Sequence, residues 1–350
     1  MSTKTLRTIS SLVDGGLVEK VDAGMLEPVA ARYAVAITPL MADTILSQGP
    51  ALHRQFVPGA AELHISAEER ADPIGDERHS PVPGVVHRYP DRVLLKLTHL
   101  CPVYCRFCFR REMVGPGEDA VLSGAALEAA LSYIAAHKDI WEVILTGGDP
   151  FILSARRIAE ISARLAAISH VKVLRWHTRV PVVDPARITS ALARALKRKG
   201  KAVFVVLHAN HASELTNQAR EACARLIDAG IPMLSQSVLL KGVNDDAEAL
   251  EALMRALVEN RVKPYYLHHG DLAPGTSHFR TGIEEGQELT RTLRARASGL
   301  CQPSYVLDIP GGYAKARLDL CDAEVGEAGT SLRDGEGHFH AYPPKAAAPK

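Results

Sequence analysis

No apolar run in this chain approaches the roughly 20 residues needed to cross a bilayer, so no membrane-spanning helix is expected. The N-terminal stretch MSTKTLRTISSLVDGG lacks the apolar core of a secretory signal peptide. Neither sign of charge is in excess. With 41 basic and 40 acidic residues the net charge is +1, which argues against a nucleic-acid surface. Cysteine is scarce, six residues in 350, and without a signal peptide a disulfide framework fits poorly. What these absences leave is a chain with 47% hydrophobic residues. That is enough for a full core, in one large α/β domain with extensions or in two smaller domains.

Half of the scarce cysteines fall together. Cys101, Cys105 and Cys108 lie in LTHLCPVYCRFCFRR with the spacing C-x3-C-x2-C, while Cys223, Cys301 and Cys321 are scattered. The preceding segment, Arg92 to Thr98, reads as a buried strand, so the thiols sit on the loop at its C-terminal end. Three thiolates can hold three irons of a 4Fe-4S cluster and leave the fourth open to a small ligand; clusters used only for electron transfer normally take four cysteines. A structural zinc site is the competing reading. It would want a fourth Cys or His at a matching offset, but His99 is too close in sequence and no second pair follows. Reactive or inert thiols are the remaining alternative. A cluster with an open iron needs a reducing compartment, so a cytoplasmic location is expected.

Residues 1–86 read as a helical N-terminal extension. Met25 to Thr44 carries apolar residues at helical spacing broken at Pro39, and DPIGD and SPVPG form a turn-rich loop around the main body. From Arg92 onward apolar strands at 92–98, 142–146, 171–176, 202–207, 232–239 and 263–267 alternate with helical stretches near 123–138, 154–168, 185–199, 213–229, 245–260 and 283–298. Ser123 suits an N-cap and Gly230 a helix stop. Six such units imply an α/β fold with a parallel sheet covered by helices: an incomplete (β/α)6 barrel over 87–300, with a doubly wound sheet as the alternative. A short strand at 304–308 opens a C-terminal segment, 301–321, and residues 322–350 read as a flexible tail.

Loops at the C-terminal ends of parallel strands build active sites. Gly147-Gly148-Asp149-Pro150 follows the second strand. Its glycines let a backbone approach a ligand, and Asp149 could accept hydrogen bonds from an ammonium group, although such a sequence is as readily only a turn. Asp308-Ile-Pro-Gly-Gly-Tyr-Ala-Lys315 puts a lysine on a glycine-rich turn after a strand. It reads as a surface residue or as the Schiff-base anchor of pyridoxal 5′-phosphate. Arg88 and Arg92, in HRYPDR, could supply the cations a phosphate needs.

A three-cysteine loop followed by a glycine-rich strand end resembles the radical S-adenosylmethionine enzymes, and Phe107 matches the aromatic position typical of that loop. The series HRYPDRVLL, CxxxCxxCxRR, GGD, PYYL…D…HFRT and DxPGGxxK, from about His87 to Lys315, resembles the lysine 2,3-aminomutase family. The resemblance implies that Cys101, Cys105 and Cys108 bind the cluster, and that Gly147, Gly148, Asp149, His208 and Gln236 hold S-adenosyl-L-methionine. It also implies that Lys315 carries pyridoxal 5′-phosphate, with Arg88 and Arg92 near its phosphate. Arg110 would pair with the substrate carboxylate, and Asp271 and Asp308 would grip its distal ammonium. Two carboxylates at one pocket rim suit a long cationic side chain, and the plain alternative is that they cap helices or turns. A glutamate-specific relative would carry cationic or neutral groups there, so L-lysine is favoured.

The implied reaction is an isomerisation: the amino group of L-lysine moves from C2 to C3, started by a 5′-deoxyadenosyl radical, to give β-lysine. An electron donor such as flavodoxin or ferredoxin and a homo-oligomeric state are implied as well. The DPIGDERHSPVPG segment resembles the bacterial branch that makes (R)-β-lysine for elongation factor P, while PGGYAK and HFRT look more like the free-lysine mutases. A mutase for another amino acid and a zinc-stabilised α/β binding protein are the rival readings. Longer clostridial-type members carry a cysteine after the VND triplet and a cysteine-rich tail that bind an intersubunit zinc. Here Asp246 follows Val243-Asn244-Asp245 and no cysteine follows Cys321, so that zinc is not expected. Position 268 is histidine where those members have tyrosine.

Overall fold

The computed structural model describes residues 4–117, 120–319, 323–326, 329–333 and 338–342. Four helices come first: α1 (Ile9–Asp14), α2 (Ala23–Arg32), α3 (Pro39–Gln48) and α4 (Pro50–Phe56). Thr8 caps α1 by accepting from the Ser11 N–H, and Thr38 caps α3 by accepting from the Met41 N–H. The break expected at Pro39 falls at Tyr33, where α2 ends. Pro39 instead opens α3 at the first helical position, where its missing N–H costs nothing. Irregular chain from 57 to 84 leads to β1 (Val85–Tyr89), a strand the sequence pattern did not reveal.

The main body alternates strands and helices in chain order: β2 (Arg92–Thr98), α5 (Gly124–Ala136), β3 (Glu142–Gly147), α6 (Ala155–Ala166), β4 (Val173–Thr178), α7 (Val180–Val183), α8 (Ser190–Leu196), β5 (Ala202–His208), α9 (Asn217–Asp228), β6 (Met233–Val238), α10 (Ala247–Glu259), β7 (Val262–His268), α11 (Ile283–Arg296) and β8 (Ser304–Asp308). Ser123 accepts from the Ala126 N–H to start α5, which buries Leu127, Ala130, Leu131 and Ile134. The helix read over 185–199 is shorter. A single 3-10 turn at Pro185–Arg187 precedes Thr189, whose hydroxyl caps α8 at Leu192 N–H. Past α9, Gly230 takes φ +81° as the chain turns towards β6.

Strands β2 to β8 are parallel and lie in sequential order. β1 adds antiparallel to β2, and β9 (Lys315–Arg317) adds antiparallel to β8. A doubly wound sheet would reverse its strand order midway, so the sheet is the incomplete barrel. Among the described residues β1 and β9 do not pair, yet the curl brings the two edges near each other: Arg88 on β1 is 3.3 Å from the Asp308 carboxylate on β8. A separate three-stranded antiparallel sheet, β10 (Ala323–Gly326), β11 (Gly329–Arg333) and β12 (Phe339–Tyr342), lies in the stretch read as a tail. The remainder of that stretch, and Cys321, fall outside the described residues.

Side chains alternate across a strand, so the registers assign each face. Leu95, Leu145, Trp176 and Val205 are register partners and fully buried. The opposite face is polar. Lys96 lies beside Thr146, Ile144 beside Arg175, His208 beside Gln236, and Gln236 beside Tyr266. An apolar face under the helices and a polar inner face are what a barrel with an internal site requires.

Candidate active site

The cysteine loop leaves the end of β2 and is anchored before the first thiol. The Thr98 hydroxyl donates to Ala120 O at 2.8 Å and accepts from the Leu100 N–H at 3.0 Å. Two backbone bonds then tie the loop to the N-terminal extension, Tyr104 N–H to Ala36 O at 3.2 Å and Arg106 N–H to Gln55 O at 2.8 Å. Arg106 lies between two of the cysteines but gives its guanidinium to Glu62, with Nε at 3.0 and 3.1 Å and Nη2 at 2.6 Å. Arg111 donates to the same carboxylate. Burial works against the charge on Glu62, but Arg106 and Arg111 outweigh it and hold the carboxyl below its usual range.

Cys101, Cys105 and Cys108 are all free thiols with partial exposure. Burial raises the pKa of each, that of Cys105 to about 11 despite the opposing charge of Arg179. Ionisation of Cys108 further opposes that of both Cys101 and Cys105, which marks the three as one group. A reactive cysteine has a depressed pKa, so these thiols do not read as nucleophiles. They suit ligands whose thiolates form only against metal charge. Among the described residues no three His, Cys, Asp or Glu side chains converge closely enough to hold a single ion. A cluster of several irons takes its thiolates at separate corners, and three thiols on one loop can supply three of them.

The Gly147-Gly148-Asp149 turn serves the cysteine loop directly. Gly147 has φ +115°, and a Cβ there would stand 2.4 Å from Thr98 O; one on Gly148 would stand 2.3 Å from Leu100 O. The backbone that closes on these glycines is therefore the start of the cysteine loop, joined by Gly148 N–H to Thr98 O at 2.5 Å and Asp149 N–H to Leu100 O at 2.9 Å. Asp149 is engaged within the protein. Its buried carboxylate accepts from the Thr178 hydroxyl at 2.8 Å, the Arg179 N–H at 2.6 Å and the Phe151 N–H at 3.0 Å. It ties the ends of β3 and β4 together.

Next to this turn the inner face carries imidazoles. His177 Nδ1 and His208 Nε2 share a hydrogen bond of 3.0 Å, and His177 Nε2 is buried without a partner among the described residues. Burial and nearby cations (Arg175 at His177, Arg179 at His208) keep both rings neutral, with His208 pushed down to about 3. Gln236 is the register partner of His208 on β6. Arg179 spans the gap to the cysteines: its Nη2 bonds Glu214 at 2.5 Å and Gln55 at 2.8 Å, and its guanidinium lies 5.5 Å from the Phe107 ring centre.

At the other end of the polar inner face Asp308 collects cationic and polar groups. Lys315 Nζ lies 2.5 Å from its Oδ2, Arg88 Nη1 3.3 Å from its Oδ1, and His268 Nδ1 3.4 Å from its Oδ2. His268 and Lys315 overcome burial and hold its carboxyl well below the usual range. Asp271 is the opposite case. Its carboxyl makes no hydrogen bond among the described residues, and burial with the charge of Asp308 raises its pKa to about 7. Lys315 is also 5.6 Å from the Tyr266 ring centre. Arg92 packs its guanidinium 3.9 Å from the Tyr89 ring centre and pairs with Asp91 at 2.6 Å, and its charge reaches the Tyr266 phenol. Arg88 is more committed than the sequence reading allowed, since Asp308, Asp76 and Ile74 O take both its terminal nitrogens. Buried Arg88 Nε and His268 Nε2 have no partner among the described residues, unmet capacity of the kind a ligand fills.

The structure thus brings the sequence-predicted residues to the polar inner face and its rim. Sequence reasoning missed His177, Thr178 and Arg179, which follow one another at the end of β4. A run of polar residues closing an apolar strand was the available signal. It also missed Asp76, Glu62 and Glu214, whose partners are distant in sequence. Among the described residues no helix is long and apolar enough to cross a membrane.

The model of the Radical SAM superfamily matches residues 95–254. An L-lysine 2,3-aminomutase from Acetoanaerobium sticklandii is 43% identical over 283 residues, covering 80% of this chain and 68% of that protein. An L-lysine 2,3-aminomutase from Escherichia coli (strain K12) is 39% identical over 269 residues, covering 77% of this chain and 78% of that protein. A glutamate 2,3-aminomutase from Clostridioides difficile is 37% identical over 262 residues, covering 75% of this chain and 61% of that protein.

Proposed function

The chain belongs to the L-lysine 2,3-aminomutase family of radical S-adenosylmethionine enzymes, and from that premise we propose that it interconverts L-lysine and β-lysine. As a member of that superfamily it uses a 4Fe-4S cluster and S-adenosyl-L-methionine. Pyridoxal 5′-phosphate on Lys315 is the third cofactor proposed; bound there, it supplies the electron sink that lets the nitrogen move between neighbouring carbons. Arg92, beside Tyr266, is proposed to meet the phosphate, and Arg110 to meet the substrate carboxylate.

The observation that carries the choice of lysine is the contrast between the two aspartates. Asp308 already holds an alkylammonium, that of Lys315, at 2.5 Å, and beside it Asp271 has an unused carboxyl. When Lys315 is engaged with the cofactor, a substrate ammonium can take its place between the two carboxylates. A distal carboxylate, as in glutamate, would meet two anions there and be repelled. The surrounding protein would hold His177 and His208 neutral, orient the ligands and keep water from the radical.

The test is an anaerobic assay of the reconstituted full chain with a panel of α-amino acids. Turnover of L-lysine to β-lysine is expected, and use of L-glutamate in its place would overturn the proposal. Formation of the (R) enantiomer would favour the branch associated with elongation factor P. A cytoplasmic, reducing setting and a flavodoxin- or ferredoxin-type donor belong to the same proposal.

A further inference from the structure

The DPIGD turn, part of the extension, has no role in the chemistry described so far. Its Asp72 carboxylate accepts from the Asp76 N–H and the Glu77 N–H, both at 2.8 Å, and so fixes the turn. Gly75, at φ +68°, lies so close to the turn before Lys315 that a Cβ would stand 2.5 Å from the Gly311 carbonyl carbon. The next residue, Asp76, is 1% exposed and points at the arginines of the pocket. Its Oδ2 accepts from Arg110 Nε at 3.0 Å and lies 2.9 Å from Arg110 Nη2, while its Oδ1 is 3.4 Å from Arg88 Nη2. Lys96, also buried, feels the same carboxylate.

We propose that Asp76 is the positioning residue of the substrate-carboxylate subsite: it grips one edge of the Arg110 guanidinium and turns the other edge to the substrate. This inference rests on the reading of Arg110 as the carboxylate partner. The geometry is one-sided. Both Arg110 contacts use Nε and Nη2 on a single oxygen, so the Nη1 side is left without a partner among the described residues. A carboxylate can meet a guanidinium end-on through its two terminal nitrogens, and that edge is the one left open. Arginine loses much rotamer freedom when it binds, and an arginine already fixed in place loses less of it at that step. Asp76 also matters for charge. It is the carboxylate shared by Arg88, Arg110 and Lys96, so the subsite favours a single carboxylate over a more highly charged anion.

The experiment compares steady-state kinetics of the reconstituted full-length enzyme and its Asp76→Asn and Asp76→Glu variants, with 1,5-diaminopentane as an inhibitor that lacks the carboxylate. Asp76→Asn is expected to raise the KM for lysine about tenfold or more, with kcat within about threefold, because the lost interaction is made equally in ground and transition states. Inhibition by 1,5-diaminopentane should stay unchanged, and Asp76→Glu should recover part of the affinity. A lysine KM unmoved in Asp76→Asn overturns the inference, as does an equal weakening of lysine and 1,5-diaminopentane, which marks a merely structural role. If Asp76→Asn does not fold, Asp76→Glu decides: a smaller rise in the lysine KM with unchanged inhibition by 1,5-diaminopentane supports the inference, and an equal weakening of both overturns it. Arg110→Lys separates the two layers: an unmoved lysine KM there overturns the carboxylate assignment itself, and this inference with it.

Discussion

Arg106 and Arg111 are pinned by Glu62 and Arg179 by Glu214 at the cysteine end of the pocket, whereas at the other end Asp308 collects Lys315, Arg88 and His268 and its neighbour Asp271 is left bare. In the first region charge is settled within the protein, and what remains open is three neutral thiols that need metal to ionise. In the second, charge is left unsettled, and the imbalance matches a cation that arrives with the substrate. A buried charge persists only where it is paired. The cysteine end therefore reads as a finished scaffold for a resident group, and the aspartate end as a site for a ligand that comes and goes.

Removing a thiol breaks that contrast most severely. Cys105→Ser is expected to abolish turnover and to lower bound iron well below the about four per chain of one cluster, measured by iron analysis and visible absorption after anaerobic reconstitution. The Asp308–Lys315 pair lies at the other end, so lysine binding measured calorimetrically should persist. Full iron loading in Cys105→Ser would end its role as a ligand.

The scaffold itself is tested through Glu62, which is about 1% exposed. Glu62→Gln leaves Arg106 and Arg111 without their counter-charge and is expected to cost about 3 kcal/mol or more of stability, read from the denaturant midpoint. The pH dependence has a definite sign. Because the folded-state pKa of Glu62 is depressed, its contribution is complete above the ordinary value near 4.5 and is lost as pH falls through the folded value. The variant should lack that acid-side loss. An unchanged midpoint would mean that the extension does not brace the cysteine loop.

How legible each region was follows from distance along the chain. Cys101, Cys105 and Cys108 lie within eight residues, and GGDP follows a strand whose apolar run is unmistakable, so local pattern was enough. The barrel strands were visible for the same reason, since burial on one face and helices between them leave a repeated signature. β1 was not, because only its first two residues, Val85 and Val86, are apolar and fully buried. Asp149 shows a subtler limit: its position was readable, but its engagement with Thr178 and Arg179 depends on β3 and β4 lying side by side. The pairings of Asp76 with Arg110 and Glu62 with Arg106 join residues 34 and 44 positions apart, across β1 and β2, and no local periodicity pairs them.

Asp271 sharpens the comparison at the ligand end. With a pKa near 7, it is largely neutral at pH 6 and largely ionised at pH 8. Its charge helps hold a substrate ammonium only when ionised, so the KM for lysine should fall as pH rises across that window, by up to about tenfold. Asp271→Asn should flatten this profile and leave iron loading untouched. A profile that stays steep in the variant would assign the titration to another group.

The smallest effect is expected at His268. Its Nδ1 is placed to donate to Asp308 at 3.4 Å, a long contact beside the 2.5 Å approach of Lys315. Burial and the charge of Lys315 lower its pKa, so at neutral pH the ring is uncharged and contributes a dipole rather than a charge. A phenol at this position can still donate one hydrogen bond to the same carboxylate. His268→Tyr should therefore change the lysine KM by no more than about threefold, which is under 1 kcal/mol. A change of tenfold or more would mean that the neutral imidazole, and not the exchange of one ammonium for another, governs Asp308, and the two ends of the pocket would then differ less than their charges suggest.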